Sequence, residues 1–216
     1  IIKSGLVMFN KFTTAGLSHP AQGSAEFNGT SDYIDVDPLP LSNWDNFTYS
    51  AWVNPDSVAS TRRVLAFGST TNSNTLSLIE VNSTSGGIFR FFNRDDSGTS
   101  AYADSGSISA NQWYFVSAVK EGTSVKIYVD GSLAATSSGS VSTFTFDNFQ
   151  IGRLLSTSAS GYLDGNLANV AIWNRALTSD EINSVMWKPY QALNATESNG
   201  LQAWYSLDDI ASPTAS

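Results

Sequence analysis

The sequence predicts an all-β fold: two antiparallel sheets packed face to face in a sandwich, with one short helix near residues 179–186. Three observations lead there. Short runs of alternating apolar residues recur along the chain between clusters of Gly, Asn, Asp and Ser, the pattern of a two-sheet sandwich. Hydrophobic residues make up 41% and aromatic residues 12% of the 216 residues, enough for a sizeable core. One stretch, Thr178-Ser179-Asp180-Glu181-Ile182, carries helix-start signals.

Taken in order, residues 1–12 open with a strand around Leu6-Val7-Met8-Phe9, and 13–20 form a loop. Residues 24–36 hold two short strands about an Asn28-Gly29 turn. Residues 47–53 alternate, with Phe47, Tyr49, Ala51 and Val53 on one face and Thr48, Ser50 and Trp52 on the other. Pro55 ends that strand. Residues 63–67 and 76–81 follow, joined by a polar loop without charge. Residues 87–94 alternate again, Ile88, Arg90 and Phe92 against Phe89, Phe91 and Asn93. Residues 98–104 pair back across Asp95-Asp96-Ser97-Gly98, and 113–119 and 125–129 are strands. Asp130-Gly131 is a hairpin signal, since glycine supplies a positive φ, and 133–136 return from it. Residues 144–152 make one more strand.

The chain is organised around residues 162–185. Leu167, Val170, Ile172 and Trp173 stand close together with small or amide residues between them, as in a strand covered on both faces. Thr178 or Ser179 then caps a helix of about two turns, with Glu181 at capping-box distance from Thr178. Asp180 and Glu181 suit its positive end. Residues 200–209 echo Gly5-Leu6-Val7-Met8-Phe9. The reading adopted is one domain over 1–216, with its core at 5–186 and with 187–216 an extension returning as a strand beside the N-terminal strand. The other is the start of a second repeat. An orphan Trp-Tyr strand would expose apolar surface, which favours the first.

Four pieces in register resemble the laminin G-like branch of the concanavalin A-like group, close to pentraxins. They are the segments 27–36 (FNGTSDYIDV), 47–55 (FTYSAWVNP), 113–116 with 127–131 (WYFV and IYVDG), and 169–182 from Asn-Val-Ala-Ile-Trp-Asn-Arg-Ala-Leu-Thr to Glu-Ile. The resemblance implies the jelly roll and covers most of the chain.

Composition narrows the partners. Charged residues are only 14%, well under the usual quarter, and Ser, Thr, Asn and Gly fill the surface instead. The net charge of −8 repels phosphate backbones and anionic membranes, so neither a nucleic acid nor a membrane is expected. No apolar run nears the roughly twenty residues of a membrane span. No signal peptide is visible, and the chain starts at Ile1 without Met, as a processed product or an excised fragment would. There is no cysteine, hence no disulfide framework, thiol nucleophile or Cys-based zinc site.

Catalytic signals are missing. The single histidine, His19, precedes Pro20 in a loop with no nucleophile nearby. Glucanases of the resembling fold carry Glu-x-Asp-x-x-Glu, and no such string occurs here. The close acidic pairs, Asp35/Asp37, Asp95/Asp96, Asp180/Glu181 and Asp208/Asp209, read as turn and cap residues. No enzyme activity is expected.

The resemblance also implies one calcium at the sandwich edge, held by the early Asp loop and by acids opening the last strand. Glu26, Asn28 and Asp32 supply the first part. Ala168 and Asn169 stand where the family has acids, with Asp164 near enough to substitute. The candidate calcium set is Asn28, Asp32, Asp164 and Asn169; the competing reading is that Asn28 and Asp32 only build a turn. Binding modules of this fold stack aromatics on sugar rings and bond hydroxyls with Asn, Asp or Arg. The candidate sugar set is Arg90, Asn93, Arg94, Asp96, Tyr102 and Trp44, where Trp44 reads equally as a loop anchor. Phe92 and Trp52 read as core. Sequons at Asn28, Asn46, Asn82 and Asn194 matter only in a eukaryotic secreted protein.

The function expected is a non-catalytic extracellular binding or adhesion module that recognises a glycan or protein surface, as part of a larger multidomain or oligomeric assembly. The alternative is a structural or decoration module of a virus particle or surface fibre, and the third is a divergent glycosidase. The expected location is extracellular, at a cell surface or at a virion surface.

Overall fold

The computed structural model of the protein describes residues 8–11, 23–36 and 45–207, with Met8–Lys11 described by their backbone alone. His19, Trp44, Asp37, Asp208 and Asp209 lie outside the described residues, as does residue 7 and everything before it. The strands are β1 (Met8–Lys11), β2 (Gly23–Asn28), β3 (Ile34–Val36), β4 (Asn46–Pro55), β5 (Arg62–Gly68), β6 (Leu76–Asn82), β7 (Ile88–Arg94) and β8 (Ser100–Ser107). They continue as β9 (Tyr114–Glu121), β10 (Ser124–Val129), β11 (Ser132–Ser138), β12 (Asn148–Ile151), β13 (Leu154–Leu155), β14 (Ala159–Ser160), β15 (Asp164–Trp173) and β16 (Leu201–Tyr205). The helices are α1 (Ser179–Val185) and α2 (Ala195–Ser198).

An eight-stranded sheet runs β1-β2-β15-β4-β9-β10-β11, with β16 also on β15; a six-stranded sheet runs β3-β12-β5-β6-β7-β8. Every pairing is antiparallel. Phe47, Tyr49, Ala51 and Val53 of β4 enter the core between the sheets, as their alternation predicts. Tyr49 stacks on Phe67 at 4.8 Å and meets Phe91 edge-on at 6.2 Å, so aromatic side chains from both sheets interlock. Trp52, on the other face of β4, is buried in a second cluster under α1.

β15 carries both clusters. Leu167, Val170 and Ile172 face the other sheet, and Ala168, Ala171 and Trp173 face α1. Strict alternation would put Leu167 and Val170 on opposite faces. Asn169, at φ 47°, makes the difference: the ladder with β4 shifts between Ala168 and Ala171. One extra residue re-phases the strand, so the apolar set stays inward on both sides of the bulge.

α1 begins as its sequence predicts. The Thr178 side chain accepts from Glu181 N, and the Glu181 side chain accepts from Thr178 N. Arg175 clamps Glu181 through two bonds of 2.9 and 2.7 Å. Ile182 and Val185 are buried beneath the helix. α2 was not anticipated, although Asn194 and Glu197 form a second capping box there.

Three further points differ from expectation. The strand expected over 144–152 is ordered as a strand only over Asn148–Ile151. Upstream, the backbone bonds to a loop and to the end of β5: Asp96 N donates to Thr143 O, Thr145 N to Asp96 Oδ1, and Asp147 N to Gly68 O. A small β13–β14 hairpin was not foreseen. Among the described residues β16 pairs with β15 and not with β1. β2 occupies that edge of β15 only over Asp164–Leu167, which leaves Val170–Trp173 open for β16 to fill.

Candidate functional site

The six-stranded sheet turns one face outward, and its register sorts the residues found there. β7 sends Phe89 and Phe91 into the core, so Arg90 and Phe92 point out. The ladders align Asp35, Gln150, Ala66, Leu78, Phe92 and Tyr102 in one row across all six strands. A neighbouring row contains Arg63, Glu80, Arg90 and Asp104. Leu154, at the start of β13, packs on Ala66, Leu76 and Leu78 and covers the middle of the face.

On the β7–β8 side, Tyr102 is 49% exposed, with the Arg90 guanidinium carbon 4.6 Å from its ring centroid. Arg90 donates from Nε and Nη2 to the two Asp104 oxygens at 2.6 and 2.8 Å. Its Nη1 lies 4.0 Å from Glu80, which also pairs with Arg63 and accepts from Asn82 Nδ2. The hydrogen bonds that Arg90 donates to Asp104 push its guanidinium above the ordinary arginine range, so its charge is permanent. Two cations and two carboxylates leave this row electrically balanced. It offers fixed hydrogen-bonding groups beside an open aromatic ring.

On the β3–β12 side, the Arg153 guanidinium carbon sits over Tyr33, 3.3 Å from its ring centroid, with Tyr162 at 6.0 Å. Its Nε donates to Gln150 Oε1 at 2.9 Å, and Gln150 donates to Asp35 at 2.7 Å.

Of the six residues expected to bind sugar, the structure brings Arg90 and Tyr102 together. Asn93 is corrected: it is fully buried and accepts from Ser77 Oγ at 2.8 Å, because it shares the inward face with Phe89 and Phe91. Arg94 is spent on the loop before β6, donating to Asn74 O and Ser73 O. Asp96 ties three segments together through Thr145, Thr75 and Asn72. Burial would raise its carboxyl, but the bonds from Thr145 and Thr75 outweigh that and hold it below the usual range. Tyr33, Arg153 and Tyr162 were missed. Alternation from inward-facing Ile34 could have placed Tyr33, but the contact to Arg153 is made across 120 residues of chain. Trp187 and Tyr190, 47% and 54% exposed, were missed too. They lie beside α1 on the other sheet, against Trp52 at 5.4 Å and Trp204 at 6.3 Å.

A family model described as the concanavalin A-like lectin/glucanases superfamily, with laminin G character, matches residues 28–183. The chain belongs to this superfamily. Solved structures share the superfamily fold at low identity. A Bacteroides ovatus protein named as a candidate carbohydrate binder is 20% identical, with a TM-score of 0.65, over 86% of this chain and 51% of that one. The chain therefore spans about half the length of that relative. A heptameric SAP-like pentraxin from Limulus polyphemus is 17% identical, with a TM-score of 0.62, over 85% of this chain and 91% of the other. Domain 4 of the extracellular arabinanase AbnA from Geobacillus stearothermophilus, in complex with arabinotriose, is 14% identical, with a TM-score of 0.62, over 85% and 82%. None of the curated proteins matches the chain.

The resemblance to the superfamily places a calcium at the edge near β2. Asn28 Oδ1 accepts from Thr30 N, Thr30 Oγ1, Ser31 N and Asp32 N, so it is fully engaged by its own turn. Asp32 accepts from Asn28 N and Ser31 Oγ. Asp164 stands opposite Asn28 in the ladder. Asn169 is five residues further along β15, roughly 16 Å away at strand rise, and forms the bulge. Among the described residues no three His, Cys, Asp or Glu side chains converge on one point. Asp56, near Asp164 and Glu26, has its carboxyl pushed up by burial and then by those two charges. The four expected ligands do not fit one calcium cage; Asn28 and Asp32 build a turn.

Carboxylates elsewhere are also occupied structurally. Asp95 Oδ1 accepts from Ser97 N, Ser97 Oγ and Thr99 N, and Glu181 belongs to the α1 cap. Among the described residues no helix is long and apolar enough to cross a membrane.

Proposed function

We propose that this chain is a non-catalytic glycan-binding module of an extracellular protein, and that sugar binds on the outer face of the six-stranded sheet beside Tyr102. The observation that carries this reading is the half-exposed Tyr102 ring, backed by Arg90, which is itself held by Asp104 and Glu80. A rigid aromatic surface gives apolar contact at low entropic cost, and fixed neighbouring polar groups orient hydroxyls. The sugar held by the arabinanase domain of the same fold supports the class of ligand. Glu80 and Asp104, the two carboxylates of the row beside Tyr102, are each bound by an arginine.

The test is a glycan array followed by titration of the best hit with the intact chain and with Tyr102→Ala. Loss of an exposed anchor aromatic should weaken binding about tenfold or more, with the melting midpoint unchanged within a few degrees. A blank array, or equal binding by the variant, would overturn the reading.

A second reading, a structural module docking onto other subunits of a fibre or particle, draws on Trp187 and Tyr190 exposed beside α1. Size-exclusion mass separates the two: a monomer favours the glycan module, and a ring or fibre favours the structural one.

A further inference from the structure

Arg153 differs from Arg63 and Arg90 on the outer face and from Arg94, whose guanidinium is taken up by two backbone carbonyls. Arg63 and Arg90 are each paired with a carboxylate. Arg153 is only 9% exposed, yet among the described residues it makes no ion pair, and its one hydrogen bond runs from Nε to the neutral amide of Gln150. Its two terminal nitrogens have no hydrogen-bond partner there. A largely buried charge without a counter-ion is costly. The Tyr33 ring at 3.3 Å offsets part of that cost through its π face. Asp35, the nearest carboxylate in this network, is held one amide away by Gln150, which accepts from Arg153 and donates to Asp35.

Two things follow from this geometry. Stacking on Tyr33 and the bond to Gln150 fix the guanidinium plane, so its free edge is a pre-oriented fork. Such a fork matches the two oxygens of a carboxylate. The chain as a whole carries a net charge of −8 and gives an anion no general attraction, so an acidic ligand needs a local, uncompensated cation. Arg153 supplies one, on the far side of Leu154 from Tyr102.

Building on the glycan reading above, we infer that Arg153 forms a second subsite, lined by Tyr33 and Tyr162, that takes the carboxylate of an acidic sugar. The balanced Arg63–Glu80–Arg90–Asp104 row serves neutral hydroxyls, and Arg153 selects the charged residue of a glycan.

The experiment uses the full chain on an array that carries uronic-acid and sialic-acid glycans beside neutral counterparts of the same length. The expected result is at least about tenfold tighter binding of the acidic members, the scale of one charge-assisted bidentate contact. Arg153→Gln should abolish that preference and keep the neutral binding. Tyr102→Ala should weaken both classes alike. Arg153→Lys, which keeps the charge but loses the fork, should lose most of the preference. Should the variants fail to fold, the wild type alone decides by salt: acidic binding should fall between about 50 and 500 mM salt while neutral binding holds. Equal wild-type binding of acidic and neutral glycans, or a preference that survives Arg153→Gln, overturns the inference and leaves the glycan reading standing. A blank array overturns both.

Discussion

The guanidinium of Arg90 rests 4.6 Å from the centre of the Tyr102 ring, on two neighbouring strands of one sheet face. The pair is braced from behind by Asp104 and Glu80. Arg90→Ala leaves Asp104 without its cation, while Glu80 keeps Arg63, and should cost about 2 kcal/mol in urea denaturation. Arg90→Lys should recover only part, because an ammonium cannot span both Asp104 oxygens. A loss under about 0.5 kcal/mol would reduce the pair to a solvated surface contact.

Trp173 is fully buried between β15 and α1, and its indole N–H donates to Glu197 O at 2.7 Å. Trp173→Ala should destabilise the protein by about 3 to 5 kcal/mol. Trp173→Phe should cost less, since it keeps much of the packing and loses the bond. A measured loss below about 1 kcal/mol for the alanine variant would show that α1 and α2 are peripheral to stability.

Glu181 gives a defined pH dependence. Hydrogen bonds from Arg175, joined by the Thr178 backbone, hold its carboxyl below the ordinary value of 4.5. A pKa lowered by folding adds stability that is complete above 4.5 and disappears as pH falls through the folded value. Glu181→Gln should lower stability at neutral pH and flatten the fall in stability between about pH 5 and pH 3. An unchanged slope in that range would mean that the Arg175 clamp is not formed in solution.

Asp32 should matter through its turn and not through a metal. Asp32→Ala removes the acceptor for Asn28 N and should cost about 1 kcal/mol, equally in EDTA and in roughly 10 mM calcium. The melting midpoint of the unaltered chain should be the same in both solutions. A rise with calcium that Asp32→Ala abolishes would restore the metal site at this edge.

Local pattern carried much of this molecule. The alternation of β4 and β7, the Asp130-Gly131 hairpin and the Thr178–Glu181 cap could be read residue by residue, because each depends on neighbours a few positions away. Arg90 with Tyr102 could be reached as well, since one short loop joins their strands. Asn93 was misplaced because hydrogen-bonding residue type was set above strand phase. α2 was overlooked even though Asn194 and Glu197 stand at capping-box spacing.

By itself, then, the sequence determined the two-sheet architecture, the covered central strand and the capped helix, all written in periods of two and in short-range capping chemistry. Tertiary structure alone decided the rest. The bulge at Asn169 re-phases β15, β16 takes the open edge of β15, and Tyr33 meets Arg153 from 120 residues away in the chain. These depend on which strands lie side by side, and pairing between distant segments leaves no local period to read.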